Sequence, residues 1–288
     1  MASGHQRRDG RMTADRRRAA SSPARADDRP GDPADCALVI FSCDKYRDLW
    51  DPCLALHRRY WPDCPYPTFL VSETVPVEDR RVRPILGGAG LTWSETALNA
   101  LGTLPHRDVL FMIEDFFLTR PVSSAAVEAR RRSLHALGGV YLRLVPLPRP
   151  NRRVAGHPGI GVHERGSRFR ASLQAAFWDR RTLLDLLRPD ESIWDFEREA
   201  SVRSAAIAAP FYATWWFTLR YVNAVVAGRW TPVGRRVCRR EALTVDRARP
   251  DVTLRWRLAA PMRLARMAAR GPVAWRVRKA LGLRPAPG

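Results

Sequence analysis

Glu114 and Asp115 end the run VLFMIED, where five apolar residues from Val109 to Ile113 lead straight into two adjacent carboxylates, and Phe116, Phe117 and Leu118 follow at once. A carboxylate does not persist in apolar surroundings unless something pairs with it or binds it. Two similar junctions occur earlier: SCDKY brings Asp44 and Lys45 after the apolar run ALVIF, and SET brings Glu73 after FLV. Carboxylates gathered where apolar runs end suit a hard divalent cation, Mg²⁺ or Mn²⁺, whose remaining ligands are the phosphate oxygens of a substrate. The plainer alternative is that the acidic pair caps a turn or meets one of the chain's many arginines.

The elements that would position these residues are legible around them. ALVIFSC is a short apolar run that reads as a buried strand, YPTFLVSE as a second, VRPIL as a third and DVLFMI as a fourth. Between them, YRDLWDPCLALHRRYW has helical spacing with Pro52 in its first turn. TWSETALNALGTL opens on Thr92 or Ser94 as a cap. Alternating strands and helices predict an α/β sheet covered on both faces, with ligands at the carboxyl ends of its strands. After Pro121 the pattern changes. SSAAVEARRRSLHALGG reads as a capped helix and VYLRLVPL as a strand; FRASLQAAFWDRRTLLDLLRP reads as a strand passing into a helix, SIWDFEREASVRSAAI as a helix, and RYVNAVVAGRW as a strand ending in a turn. The expected organisation is a leader over 1–35, one α/β domain over 36–245 made of halves 36–122 and 123–245, and a basic tail over 246–288.

Composition narrows the classes. The chain has 288 residues and a net charge of +20, from 49 Lys and Arg against 29 Asp and Glu, and lysine occurs only at Lys45 and Lys279. A surface this basic attracts polyanions, whether nucleic acid, anionic lipid or nucleotide diphosphates. Five cysteines without a CxxC pair argue against a disulfide framework or a zinc knuckle. The first 35 residues have the composition of a disordered leader and no apolar signal segment. The apolar stretch near 205–228 is long enough to span a bilayer, but Pro210 and Arg220 inside it favour a buried core segment. In the tail, Leu258, Met262, Ala265 and Ala269 share one helical face with arginines elsewhere. Such a helix either lies in a membrane interface or docks on the domain with a solvated basic side.

The blocks SCDKYRDLWDPCLALHRRYWPDCPYPTFLVSE, VLFMIEDFFL and SLQAAFWDRRTLLDLLRPDESIWDFE together resemble bacterial glycosyltransferases of polysaccharide assembly, across about residues 38 to 235. The resemblance implies a GT-A fold, a Rossmann-like mixed sheet flanked by helices with a nucleotide-sugar half and an acceptor half. It implies that Asp115, helped by Glu114, takes the place of the Asp-x-Asp-like motif that holds a divalent cation (Mn²⁺ or Mg²⁺) and the donor diphosphate. The pair here is adjacent, not spaced, which leaves open which carboxylate touches metal. Asp44 and Glu73 would contact the base or ribose of the donor, and Lys45 and Trp93 join them on that side. A carboxylate of the second half would act as general base on the acceptor hydroxyl, and ESIWDFE offers Glu191, Asp195 and Glu197. Asp195 and Glu197 point about 200° apart on a helix, so one of them would face the cleft. Glu197 is preferred because Trp194 and Phe196 bring the apolar bulk that raises a carboxylate pKa. The alternative for all three is acidity favoured at a helix N-terminus by the macrodipole. Trp178 or Trp194 could stack on a sugar, and Gln174 could hydrogen-bond one, although most large aromatics belong to the core.

The function expected from this is transfer of a sugar from a nucleotide-sugar donor to a glycan or lipid-linked acceptor in cell-surface polysaccharide synthesis. The expected location is cytoplasmic, peripheral on an anionic inner membrane face. Nucleotidyl transfer is the first alternative, against which stands the absence of a glycine-rich phosphate loop after the first strand. Non-catalytic binding of a polyanion is the second; no reader module for nucleic acid accompanies the charge, so nucleic acid is not the expected partner.

Overall fold

The computed structural model describes residues 33–246 and 248–254. Its first half alternates as the periodicity predicts. Strand β1 (Cys36–Phe41) is buried at every position and passes through a 3₁₀ turn (Asp44–Leu49) into α1 (Trp50–Tyr60). Strands β2 (Thr68–Ser72) and β3 (Val82–Leu86) follow, then α2 (Trp93–Thr103). Thr92 starts α2 with a capping box: its hydroxyl accepts from Glu95 N, and the Glu95 carboxylate accepts from Thr92 N at 2.8 Å. Strand β4 (Asp108–Ile113) ends at the acidic pair, after which come β5 (Phe116–Leu118) and α3 (Ser124–Ala136).

The second half contributes β6 (Tyr141–Arg143), β7 (Arg152–Arg153), β8 (Ile160–His163), β9 (Ala176–Asp179), α4 (Arg180–Leu186), α5 (Ile193–Arg203), β10 (Phe211–Thr214), three short strands β11 (Tyr221–Asn223), β12 (Val225–Val226) and β13 (Arg229–Trp230), and α6 (Pro232–Arg240). Nine strands form one mixed sheet in the order β3-β2-β1-β4-β9-β6-β10-β8-β7. The second half therefore joins the first edge to edge. β9 lies antiparallel between β4 and β6, and β10 pairs parallel with β6, so β1, β2, β4, β6 and β10 all end on one edge of the sheet.

Side chains alternate across this sheet because the strand period is two. Leu38, Ile40, Leu110 and Met112 pack on the face with Trp50, Leu54 and Leu134 of α1 and α3. Ala37, Val39, Val109 and Phe111 pack on the other, with Ala97, Leu101, Leu183 and Phe196 of α2, α4 and α5. Burial on both faces explains why β1 and β4 read as unbroken apolar runs rather than as alternation.

Two sequence expectations change in detail, and one holds. VYLRLVPL yields only the three-residue β6, since Pro146, Pro148 and Pro150 cannot donate to a ladder. The stretch near 205–228 holds β10, a turn and β11, and no helix among the described residues is long and apolar enough to cross a membrane. RYVNAVVAGRW is three strands, not one. β11 pairs antiparallel with β5, Ala224 N donates to the Asp115 carbonyl at 2.8 Å, and β12 then turns back on β13. The leader up to residue 32, and the tail beyond residue 254, lie outside the described residues.

Candidate functional site

The acidic pair sits in the turn between β4 and β5. Phe117 N and Ala224 N both donate to the Asp115 carbonyl, at 3.0 and 2.8 Å, and fix that turn against the end of β11. The side chains of both residues are nearly enclosed, each residue being 8% exposed. Among the described residues, Asp115 Oδ1 is buried with no hydrogen-bond partner. Burial raises the pKa of Glu114, and the neighbouring Asp115 raises it further, against support from its own backbone N–H, the Ser42 hydroxyl and the Arg249 charge. Burial also raises Asp115, opposed by the backbone N–H groups of Val225 and of Asp115 itself. The same field reaches Cys43, whose thiol burial pushes up to about 11, with Glu114 and Glu73 adding to the effect. At that value it is a thiol at neutral pH, not a nucleophile.

Asp44 and Glu73 meet at the ends of β1 and β2. The Asp44 carboxylate accepts from the backbone N–H groups of Glu73, Thr74 and Val75 and from the Thr74 hydroxyl, while Asp44 N donates to Glu73 at 3.2 Å. Burial alone would raise the Asp44 pKa, but these hydrogen bonds outweigh it and hold the group low. Asp44 is therefore the clamp that shapes the loop after β2. Lys45 is exposed, and its carbonyl accepts from Arg249 at 3.3 Å. Trp93 is half-buried and packs between Phe41 and Phe196, with ring centroids 6.2 and 5.4 Å away.

The other acidic group lies elsewhere. Glu191 is paired with Arg203 through two bonds of 2.7 and 2.8 Å, and its backbone exchanges hydrogen bonds with Ser94. Asp195 is the third residue of the capping box at Ser192 and also pairs with Arg198. Glu197 points toward the segment entering β9, where its Oε1 accepts from the Ser172 hydroxyl at 3.2 Å and Leu173 N at 3.1 Å. Its Oε2 has no hydrogen bond among the described residues. The structure thus gathers Asp44, Glu73, Glu114 and Asp115 on one sheet edge, and among the described residues no hydrogen bond or ion pair ties Glu191, Asp195 or Glu197 to them.

No protein-family model matches the sequence, and no curated protein matches it. Solved structures of S. aureus TarS are similar in part. TarS 1–349 is 10% identical, with 62% of this chain covering 57% of that one at a TM-score of 0.39. A longer TarS structure is 12% identical, with 67% of this chain covering 37% of that one at 0.40. TarS 1–349 in complex with UDP-GlcNAc is 10% identical, with 62% covering 55% at 0.40. The chain thus spans less than two thirds of the length of each.

Several residues at the site have no signal in the sequence. Arg249 packs over the Tyr46 ring at 4.5 Å and pairs with Asp48 across about two hundred positions of sequence, with one bond of 2.8 Å. It brings a guanidinium to the edge where Glu114 lies. Tyr221 stacks on Phe116 with centroids 4.3 Å apart and donates to Gln174 Oε1 at 2.6 Å. Gln174, noted from sequence as a polar residue in an apolar segment, lines a cavity of about 270 Å³ with Val145, Leu147, Phe217, Tyr221 and Asn223. That cavity adjoins the acidic turn, because Asn223 pairs with Phe116 in the ladder.

Proposed function

We propose that the chain is a glycosyltransferase that takes a sugar from a nucleotide-sugar donor, with the donor diphosphate lying against the Glu114–Asp115 edge. The observation that carries this reading is Asp115 Oδ1, a buried carboxylate oxygen without a partner, next to a second buried carboxylate at the carboxyl end of a central strand. Such a pair is destabilised in its ionised form unless a cation neutralises it. Among the described residues no three His, Cys, Asp or Glu side chains converge into a closed cage. Two carboxylates fit a Mg²⁺ or Mn²⁺ ion that keeps its other positions for phosphate oxygens, and Asp115 with Glu114 would hold it. When bound, such an ion neutralises charge on a departing diphosphate.

The remaining roles belong to this chain's own residues. Asp44 orders the loop that presents Glu73 to the base or ribose. Arg249 adds positive charge beside the pair. The mixed lining of the 270 Å³ cavity, with two aromatic rings and the amides of Gln174 and Asn223, suits an acceptor glycan. Glu197 is the proposed general base, being the member of its acidic group that is not held in an ion pair. A lipid-linked acceptor and an anionic membrane surface are proposed partners of the basic tail.

Calorimetry with UDP-, GDP- and dTDP-sugars, with and without Mn²⁺, tests the reading on wild type and Asp115→Asn. Binding of one nucleotide that depends on metal and disappears in the variant is expected; no binding under any condition would overturn it. With the donor known, Glu197→Gln should lower turnover about 100-fold or more while donor affinity stays unchanged.

A further inference from the structure

The opposite edge of the sheet, where β8 ends and β10 begins, carries a second constellation unrelated to the acidic pair. Arg170 is 2% exposed and Arg143 fully enclosed, yet among the described residues no carboxylate pairs with either. Arg170 donates to the carbonyls of His163, Ser204 and Ala209 and lies 4.0 Å above the Phe211 ring. Arg143 donates to the carbonyls of Val145, Phe169 and Pro148 and meets His163 Nε2. Phe169 adopts φ 58°, a left-handed conformation unusual for an aromatic residue, in the turn that places its carbonyl on Arg143 and the next side chain in the pocket. Carbonyl dipoles hold a guanidinium plane in place but bring no compensating charge. Burying two such cations without an anion is therefore unfavourable.

Arg170 faces a cavity of about 290 Å³ lined also by Arg152, Arg165, His163, Glu164 and Tyr212. Among the described residues the one carboxylate there, Glu164, approaches exposed Arg152 at 3.4 Å and forms no ion pair with Arg165 or Arg170. Burial depresses the Arg170 pKa to about 10, and repulsion from Arg165 adds to it. His163 is held neutral, its pKa pushed down to about 3 by burial and by the two guanidinium groups beside it. Burial leads both shifts and guanidinium repulsion adds to each, and an oxyanion would relieve that repulsion.

We propose that this cavity binds a phosphate-type oxyanion, free or carried as the phosphoryl group of a small ester, with Arg170 and Arg165 as its principal donors and Arg152 at the rim. Planar guanidinium groups match a tetrahedral oxyanion in shape as well as charge. The site is separate from the acidic edge and does not depend on what that edge does.

Titration calorimetry at constant ionic strength tests it, with inorganic phosphate and glycerol 3-phosphate as probes and chloride as the background anion. Wild type should bind, and the double variant Arg152→Gln, Arg165→Gln should bind at least tenfold more weakly. Both side chains are exposed, so the fold should survive, and an unchanged urea midpoint confirms that. Arg188→Gln, away from the cavity, should bind like wild type. Tighter binding of glycerol 3-phosphate than of phosphate would identify the phosphoryl ester as the form recognised, and the reverse order the free ion. Absence of binding by wild type, or equal binding by the double variant, would overturn the proposal.

Discussion

Asp115→Asn should make the metal-free protein more stable as pH rises, and the size of the gain follows from how the pair is buried. Both carboxylates have pKa values raised above the ordinary range, chiefly by burial. Between the ordinary carboxylate pKa and the raised one, the folded chain holds protons that the unfolded chain has released. Unfolding free energy therefore falls as pH rises through that window, by about 1.4 kcal/mol per pH unit for each proton so held. Below the window both states are protonated and nothing is lost. Above it the full penalty stands. His57, His106 and His163 slope the other way, since burial holds each below its ordinary value and the unfolded chain protonates first as pH falls. Subtracting variant from wild type cancels them. Asn keeps the size of Asp115, removes its proton, and relieves Glu114 of the like charge. The two proteins should match below about pH 4, where both carboxylates are protonated folded and unfolded, and the variant should lead by about 1.4 kcal/mol one unit into the window, with the relief of Glu114 adding to that. Urea melts in chelator at several pH values, with equal m-values, would measure the gap. Added Mn²⁺ should then close it by stabilising wild type alone. A gap that does not change with pH, or a variant less stable at every pH, would refute the argument.

Two further substitutions probe the two ends of the sheet, Arg131 at the start of β4 and Arg249 beside the acidic edge. Arg131 is fully enclosed and bonds Asp108 at 3.0 Å and Glu128 at 3.1 and 3.2 Å, with His135 and Tyr66 completing the network. Arg131→Met leaves two buried carboxylates without their cation and should cost about 3–5 kcal/mol by urea midpoint, while donor binding by the folded protein stays unchanged. Arg249→Gln removes the largely buried pair with Asp48, whose side chains are 9% and 16% exposed, and should cost about 1–2 kcal/mol. It also withdraws the cation beside Glu114, so the window described above should extend to higher pH.

The first half of the fold was legible because its signals are local. A strand buried on both faces must be a short apolar run, and β1 and β4 are; α2 announces itself through Thr92 and Glu95 three residues apart. The second half depends on pairings that no window contains. β9 enters the sheet between β4 and β6, so its environment is set by residues more than thirty positions away on either side. β7 and β8 lie in a glycine- and arginine-rich segment without alternation. β5 looked like more of the apolar run before it, and only its ladder with β11, about a hundred residues on, makes it a separate strand.

The site divides along the same line. A carboxylate after an apolar run is conspicuous, so Glu114, Asp115, Asp44 and Glu73 could be picked out in advance. Their uses could not, because Asp44 ties a loop through backbone N–H groups that carry no sequence signature. In a chain with 49 Lys and Arg, a buried arginine looks like every other arginine. Arg143, Arg170 and Arg249 separate from the surface population only once their partners are known: carbonyls for the first two, Asp48 for the third. Excess of one residue type hides the few members whose burial makes them informative. The acidic residues, being scarcer, keep their meaning, so the proposed anion site rests on three-dimensional contacts and the proposed cation site on the order of residues along β4.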